Sequence, residues 1–259
     1  MQEIPYTEAL ATLRELRERR HPGPALAAFD GDGTLWSGDV GEDFLEHLLD
    51  EDAFTDVAAA LFHDEATTYG VAREVRPKAQ LATLFRAYVD GTYPEDRVCA
   101  VIALAVAGRP SSDVTRVAAD VVRAKGVAGR LHDETVGVLE AARASGVEVV
   151  LVSASPRPVV VAAAELLGLG EADVIAVTCV EERGVLGGSL LEPMPYGEGK
   201  AACLRSRLAG RPLLVSCGDN AFDMAMLALA ELPLAIRPKD RLRAIAHELP
   251  ALAVLGRVG

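Results

Sequence analysis

The chain has one tryptophan, four cysteines and 5% aromatic residues over 259 positions. Cys99, Cys179, Cys203 and Cys217 lie far apart and form no paired metal-ligand spacing, which argues against a zinc ribbon or a disulfide framework and leaves each as a small buried hydrophobe. Half of the residues are hydrophobic, but they come in short periodic runs, none approaching the ~20 residues that a membrane-spanning helix needs. The opening residues, Met1-Gln-Glu-Ile-Pro-Tyr-Thr-Glu, have neither the basic region nor the apolar stretch of a secretory leader. A cytoplasmic location with no membrane partner is the expectation. Positive charge is scarce as well, with 26 Lys and Arg against 38 Asp and Glu and a net charge of −12. That balance argues against nucleic acid as a partner, because backbone binding needs concentrated cationic charge. The arginines of Arg14-Glu-Leu-Arg-Glu-Arg-Arg20 alternate with glutamates and read as a solvated helix face. No internal repeat or low-complexity linker is present.

Against these absences stands Leu26-Ala-Ala-Phe-Asp30-Gly-Asp32-Gly-Thr34-Leu-Trp36. Its apolar run predicts a buried parallel strand, and open α/β sheets place their chemistry in the loops at strand carboxyl ends. Two aspartates then stand together at a strand tip. If their environments push their acidities apart, one can attack an electrophile while the other moves a proton. Taken alone, Asp-Gly-Asp-Gly is more often a turn, so its chemical reading depends on partner segments elsewhere in the chain.

Three such segments lie downstream in order: Val149-Val-Leu-Val-Ser153-Ala-Ser155-Pro, Gly197-Glu-Gly-Lys200, and Leu213-Leu-Val-Ser-Cys-Gly218-Asp219-Asn-Ala-Phe-Asp223. The four together resemble the motifs of the haloacid dehalogenase-like superfamily. The Ser-Ala-Ser-Pro run and the long insertion after the first motif resemble its phosphoserine-phosphatase-like branch. The resemblance implies an enzyme, a magnesium-dependent phosphatase acting on a small phosphorylated metabolite. It implies Asp30 as nucleophile forming an aspartyl-phosphate, and Asp32 as general acid and then base. Thr34, Ser153 and Lys200 are implied on the phosphate. Asp30, Asp32 through its backbone carbonyl, Asp219 and Asp223 are implied around Mg2+, an ion that favours oxygen ligands. Asp223 is either a metal-site partner or an orienter of Lys200, and Asp219 or Asn220 alternatively caps a helix. Ser155 reads as a cap of the next helix. A dehalogenase, a phosphomutase or phosphotransferase, and a non-catalytic phosphate-ligand-binding protein are the rivals on the same scaffold.

Helical periodicity predicts segments at Thr7–Arg20, Gly41–Asp50, Ala53–Phe62, Pro77–Val89, Pro94–Val106, Ser112–Lys125, Asp133–Ala144, Pro158–Leu167, Gly199–Leu208 and Ala221–Leu229. Strands are expected at Val147–Val152, Val174–Cys179, Leu213–Ser216 and Leu232–Ile236, the last two closing the core. Glycine-rich residues from Glu181 predict a hairpin or irregular excursion. This alternation gives an α/β chain: a Rossmann-like parallel-sheet core (1–36 and 130–259) with an inserted helical cap (37–129). In phosphoserine phosphatases an acid shortly after the first motif grips the substrate amine. Asp39 stands at the comparable spacing here, with Glu42 and Asp43 behind it, and these residues either bind an amine or begin a helix, where its dipole favours acids. Trp36 either offers its face to a cationic group or packs between cap and core. An amine-bearing phosphoester such as phosphoserine, phosphoethanolamine or phosphocholine is therefore expected. Arg76, Arg86 and Arg97 are the candidates for gripping a substrate carboxylate.

Overall fold

The computed structural model describes residues 1–258. Its strands are β1 (Gln2–Ile4), β2 (Leu26–Phe29), β3 (Glu148–Pro156), β4 (Val174–Val177), β5 (Cys179–Glu182), β6 (Val185–Leu190), β7 (Leu213–Gly218), β8 (Ala230–Ala235) and β9 (Ala253–Leu255). Seven of them form one parallel sheet in the order β1-β9-β8-β7-β2-β3-β4. The α-helices are α1 (Tyr6–Glu15), α2 (Val40–Glu51), α3 (Asp56–Tyr69), α4 (Pro77–Val89), α5 (Glu95–Leu104), α6 (Ser111–Ala124), α7 (Asp133–Ala144), α8 (Arg157–Ala164), α9 (Glu198–Leu208), α10 (Met224–Leu227) and α11 (Asp240–Ile245). This is the α/β, Rossmann-like arrangement that the alternating pattern predicts.

Both faces of the sheet are covered, so the central strand β2 is apolar and buried at all of its positions. On β2, Leu26 and Ala28 point to one side, where they meet Val150, Val152, Leu204 and Met226. Ala27 and Phe29 point to the other, into a cluster with Val149, Leu151, Val138 and Val159. Pairing registers fix the tips. Phe29 is opposite Leu151 on β3 and Cys217 on β7, so Asp30, Ser153 and Asp219, each one or two residues further on, arrive at one sheet edge. The Asp30 N–H donates to the Cys217 carbonyl at 2.9 Å and prolongs that ladder past the strand.

Helices α2 to α6 occupy the chain between β2 and β3. Their apolar faces share one cluster with the sheet helices, which runs from Phe29 and Val159 through Phe44 to Phe62, Leu84 and Val117. Helices α2 and α6 pack on α8. The two segments joining this insertion to the sheet pair antiparallel at Trp36 and Leu131; Ser37 N–H donates to the Arg130 carbonyl and His132 N–H to that of Leu35, each at 2.9 Å. The glycine-rich excursion is an antiparallel hairpin of β5 and β6. It joins the insertion, since Gly108 N–H donates to Leu186 O at 2.7 Å and Leu186 N–H returns to Arg109 O at 3.0 Å.

Several boundaries differ from the periodic reading. Helix α3 begins at Asp56, where the Thr55 hydroxyl accepts from Ala58 N–H at 3.2 Å, and runs on to Tyr69. Helix α1 stops at Glu15 and a π-helical turn carries Leu16–Arg20. The stretch expected as one helix over 221–229 is a 3-10 turn, Ala221–Asp223, followed by the single turn of α10. Strand β3 continues past Val152 to Pro156. The edge strands β1 and β9 have three residues each, too few to show a period. Among the described residues, no helix is long and apolar enough to cross a membrane.

Candidate active site

Asp30 is 4% exposed and Lys200 is fully buried. The Lys200 ammonium reaches Asp30 Oδ1 and Asp223 Oδ1, each at 2.6 Å. A buried lysine between two buried carboxylates is tolerable only because all three charges are paired, since each would otherwise carry a large desolvation penalty. Burial alone would depress the Lys200 ammonium; Asp223 and Asp30 outweigh it and hold the group above the ordinary lysine range. Burial, then Asp223, pushes Asp30 up to about 7, against the opposing pull of Lys200. The Thr34 hydroxyl donates to Asp30 Oδ2 at 3.0 Å. Thr34 is itself fully buried and outside the cavity lining, so its contact is with the candidate nucleophile.

Asp32 faces away from that cluster. Its Oδ1 accepts from Trp36 Nε1 and from Val40 N–H, each at 2.7 Å, and its Oδ2 accepts from the Ser155 hydroxyl at 2.7 Å. Three donors fix the carboxylate, while burial, then Asp39, pushes it up to about 7. A carboxyl group poised near neutrality can both give and take a proton. Two neighbouring aspartates are thereby separated in role: one belongs to a lysine and the metal-like cluster, the other to neutral donors.

One carboxylate oxygen from each of Asp30, Asp219 and Asp223 lies within 4.8 Å of the others. Asp223 spends Oδ1 on Lys200 and Oδ2 on the N–H groups of Asp219 and Asn220, at 3.0 and 2.9 Å. It orients the lysine and the loop after β7. The side-chain capping falls to Asn220, whose Oδ1 accepts from Ala221 N–H at 2.7 Å. Asp219 Oδ2 meets Lys239 Nζ at 2.9 Å. Its Oδ1 is buried with no hydrogen-bond partner among the described residues. Burial, then Asp30 and Asp223, pushes Asp219 up to about 7. An orphaned buried carboxylate oxygen beside two more carboxylates is a donor set suited to a hard, oxygen-seeking cation. Gly33, at φ +84°, packs its Cα where a side chain would strike the Asp219 carboxylate, so the loop after β2 can close on that cluster only with glycine there. The Asp32 carboxylate, engaged elsewhere, lies outside this group.

A cavity of about 550 Å³ opens above Asp30. Ser153 lies on its floor, 1% exposed, and its Oγ accepts from Ser155 N–H at 3.0 Å, which leaves its own proton free to donate. Ser155 does not cap α8, whose N-terminus has no side-chain cap; the hydroxyl is spent on Asp32. Residues i and i+2 of a strand share a face, and the Ser-Ala-Ser spacing is the signal that both serines belong to the site. Lys239, which sequence reasoning also missed, follows β8 without a motif and lines the same cavity.

The insertion contributes the opposite wall through α2, α4 and α5, including Phe85, Tyr88, Glu95 and Cys99. Asp39 and Glu42 line the cavity, and Asp39 also caps α2 by accepting from Glu42 N–H at 2.9 Å. The helix-start reading of that acid holds, and the residue also faces the cavity. Desolvation at the cavity pushes the Asp39 carboxyl up, and Glu42, exposed but partly desolvated and beside Asp32 and Asp43, shifts the same way. Trp36 does not line the cavity; it is fully buried and offers no face to a ligand, while its indole N–H holds Asp32. Arg76, Arg86 and Arg97 are also outside the lining. Arg76 pairs with Asp52 at 2.6 Å, and Arg97 is tied to Glu65 beneath Tyr93.

No curated protein matches the chain by sequence. Solved structures similar to it include a protein of unknown function from Bordetella pertussis Tohama I, 20% identical, with 90% of this chain and 98% of that one covered at a TM-score of 0.67. A functionally unknown protein from Anaerococcus prevotii DSM 20548 is 16% identical, with 96% and 90% covered and a TM-score of 0.66. A phosphoserine phosphatase described as a phospho-aspartyl intermediate analogue is 17% identical, with 90% and 94% covered and a TM-score of 0.54. These likenesses establish a shared fold, and the family follows from sequence, because the haloacid dehalogenase-like hydrolase model matches residues 27–228. The chain therefore belongs to the haloacid dehalogenase-like hydrolases, with the fold of their phosphoserine-phosphatase-like members.

Proposed function

We propose that the protein is a magnesium-dependent phosphomonoesterase that works through a phosphorylated Asp30. The observation that carries this reading is the buried Asp30–Lys200–Asp223 chain at the cavity floor, with the orphaned Asp219 oxygen beside it. Asp30 Oδ attacks phosphorus as the P–O bond to the leaving group breaks, and Asp32 gives its proton to the departing oxygen. The Asp30 acyl-phosphate is then attacked by a water whose proton Asp32 takes back, which releases inorganic phosphate. Lys200 and the Ser153 hydroxyl hold the phosphoryl oxygens and offset the repulsion between them and Asp30. Magnesium would be held by Asp30 and Asp219 with the backbone carbonyl of Asp32, and Asp223 would support it from behind; when bound it supplies positive charge between nucleophile and phosphate. Residues 37–129 form the cap over a core of 1–36 and 130–259, and the β5–β6 hairpin extends the cap.

The substrate is a small phosphomonoester with an amine group, drawn by Asp39 and Glu42. Of the expected candidates, phosphoserine has the least support, because Arg76, Arg86 and Arg97 lie outside the cavity and Arg241, which lines it, is paired with Glu95. The test is a panel of phosphate esters assayed for free phosphate with and without magnesium. Release that requires the ion, and that Asp219→Ala abolishes together with ion binding, is the expected result. Turnover in metal-free buffer contradicts the ion's role. Phosphorylated acceptors in place of free phosphate identify a phosphotransferase, and binding without turnover identifies a ligand-binding protein.

A further inference from the structure

The wall opposite Asp30 has a composition that the phosphate chemistry does not use. Phe85 and Tyr88, with ring centroids 5.9 Å apart and planes tilted by 52°, line the cavity from α4. Tyr196 lines it from the sheet side. Phe222 lines it too, packed on Tyr196 with centroids 5.0 Å apart and planes tilted by 31°; all four rings are only partly buried, so four of the few aromatic side chains in the chain border one cavity. Charges of both signs line this cavity with them. Asp39, Glu42, Glu95 and Cys99 line the cavity with these rings, and burial, then Glu95 and Cys99, pushes both tyrosine phenols up. Arg241 neutralises Glu95 at 2.8 Å, and Lys239 is paired with Asp219. Asp39 and Glu42 have no ion-pair partner within 4.0 Å among the described residues.

The hydrogen-bonding capacity of this wall is partly spent. Asp39 Oδ1 already accepts from Glu42 N–H, and Glu95 Oε2 from Arg241. A primary ammonium entering here must trade three hydrogen bonds to water for the remaining oxygens of Asp39 and Glu42 and the tyrosine hydroxyls. A quaternary ammonium has no such bonds to lose and is attracted both by ring faces and by uncompensated negative charge. We infer that Phe85, Tyr88 and Tyr196, in the field of Asp39 and Glu42, form a subsite for a quaternary ammonium group joined to the phosphate that reacts at Asp30. The inference rests on the phosphomonoesterase reading for the other end of the substrate.

The experiment uses the full chain with magnesium and compares kcat/KM for phosphocholine, phosphoethanolamine and O-phosphoserine, in wild type and in Tyr88→Ala and Tyr88→Phe. Phosphocholine is expected to lead phosphoethanolamine by about tenfold, with O-phosphoserine last. In Tyr88→Ala the ratio of phosphocholine to glycerol 2-phosphate should fall by about tenfold, and Tyr88→Phe should keep it. A lead for phosphoethanolamine or O-phosphoserine, or a ratio unchanged in Tyr88→Ala, overturns the subsite. Choline and ethanolamine are also titrated directly and followed by tyrosine fluorescence. If no ester is hydrolysed, the reading of Asp30 fails and this titration decides the subsite alone: tighter choline binding that Tyr88→Ala removes upholds it, and equal binding overturns it.

Discussion

The floor and the far wall of the cavity are built on different terms. On the floor Asp30, Ser153 and Lys200, with Asp223 behind the lysine, are each at most 4% exposed, and hydrogen bonds link them to one another or to neighbouring strand tips. On the wall Phe85, Tyr88 and Glu95 are half-buried, and Glu42 is exposed. Buried charge allows few residue types at each place, because any mismatch leaves an unpaired group in low dielectric. Half-exposed aromatic and acidic positions tolerate many alternatives without loss of folding. On the proposed function the floor sets the reaction and the wall the substrate, and substitutions should separate the two.

The largest effect is expected on the floor. Asp30→Asn is nearly isosteric but removes the attacking carboxylate, so kcat should fall by about a thousandfold or more for every phosphate ester alike. Loss confined to some esters would make Asp30 a specificity residue. Lys200→Met leaves Asp30 and Asp223 buried without their cation, and urea unfolding should register roughly 3–5 kcal/mol of lost stability. A loss under about 1 kcal/mol, the range of exposed pairs, would mean the cluster is open to water.

The floor should also govern how the metal-free protein responds to pH. Asp30, Asp32 and Asp219 are raised from 3.8 to about 7, so over that interval the folded state binds more protons than the unfolded one. Their contribution to stability is then full below about pH 4 and is lost as pH rises through about 7. The Tm of the chelator-treated protein should fall across this window by several degrees, and magnesium should flatten the dependence. A Tm that rises over the same interval would contradict the strained cluster. The smallest effect concerns Lys239, whose side chain is 54% exposed and pairs with Asp219. Lys239→Met removes a competing cation and should tighten magnesium binding about fivefold by calorimetry; weaker binding would make Lys239 a support of the ion site.

The same contrast decides which residues are legible in the sequence. Asp30, Ser153, Lys200 and Asp219 are legible because each sits at a strand end or helix start whose apolar run or glycine is visible in sequence. The seven-strand sheet is legible apart from β1 and β9, three-residue edges without periodicity. Lys239 is not, since it depends on where β8 ends beside β7 rather than on any local pattern. Ser155 reads as a helix cap only while β3 is taken to end at Val152; the continuation of that strand to Pro156 turns the hydroxyl to Asp32. Trp36 is the obvious aromatic for a ligand and is the buried one, while Tyr88 and Phe85 belong to an amphipathic helix that looks like packing until α4 is set against the cavity.

Covalent catalysis by Asp30 is tested most directly by quenching the enzyme in acid during turnover of a phosphate ester and mapping the phosphoryl group by mass spectrometry. One modified peptide is expected, with the phosphoryl group on Asp30, and none in Asp30→Asn. Phosphorylation at another residue, or undiminished hydrolysis by Asp30→Asn, would contradict it.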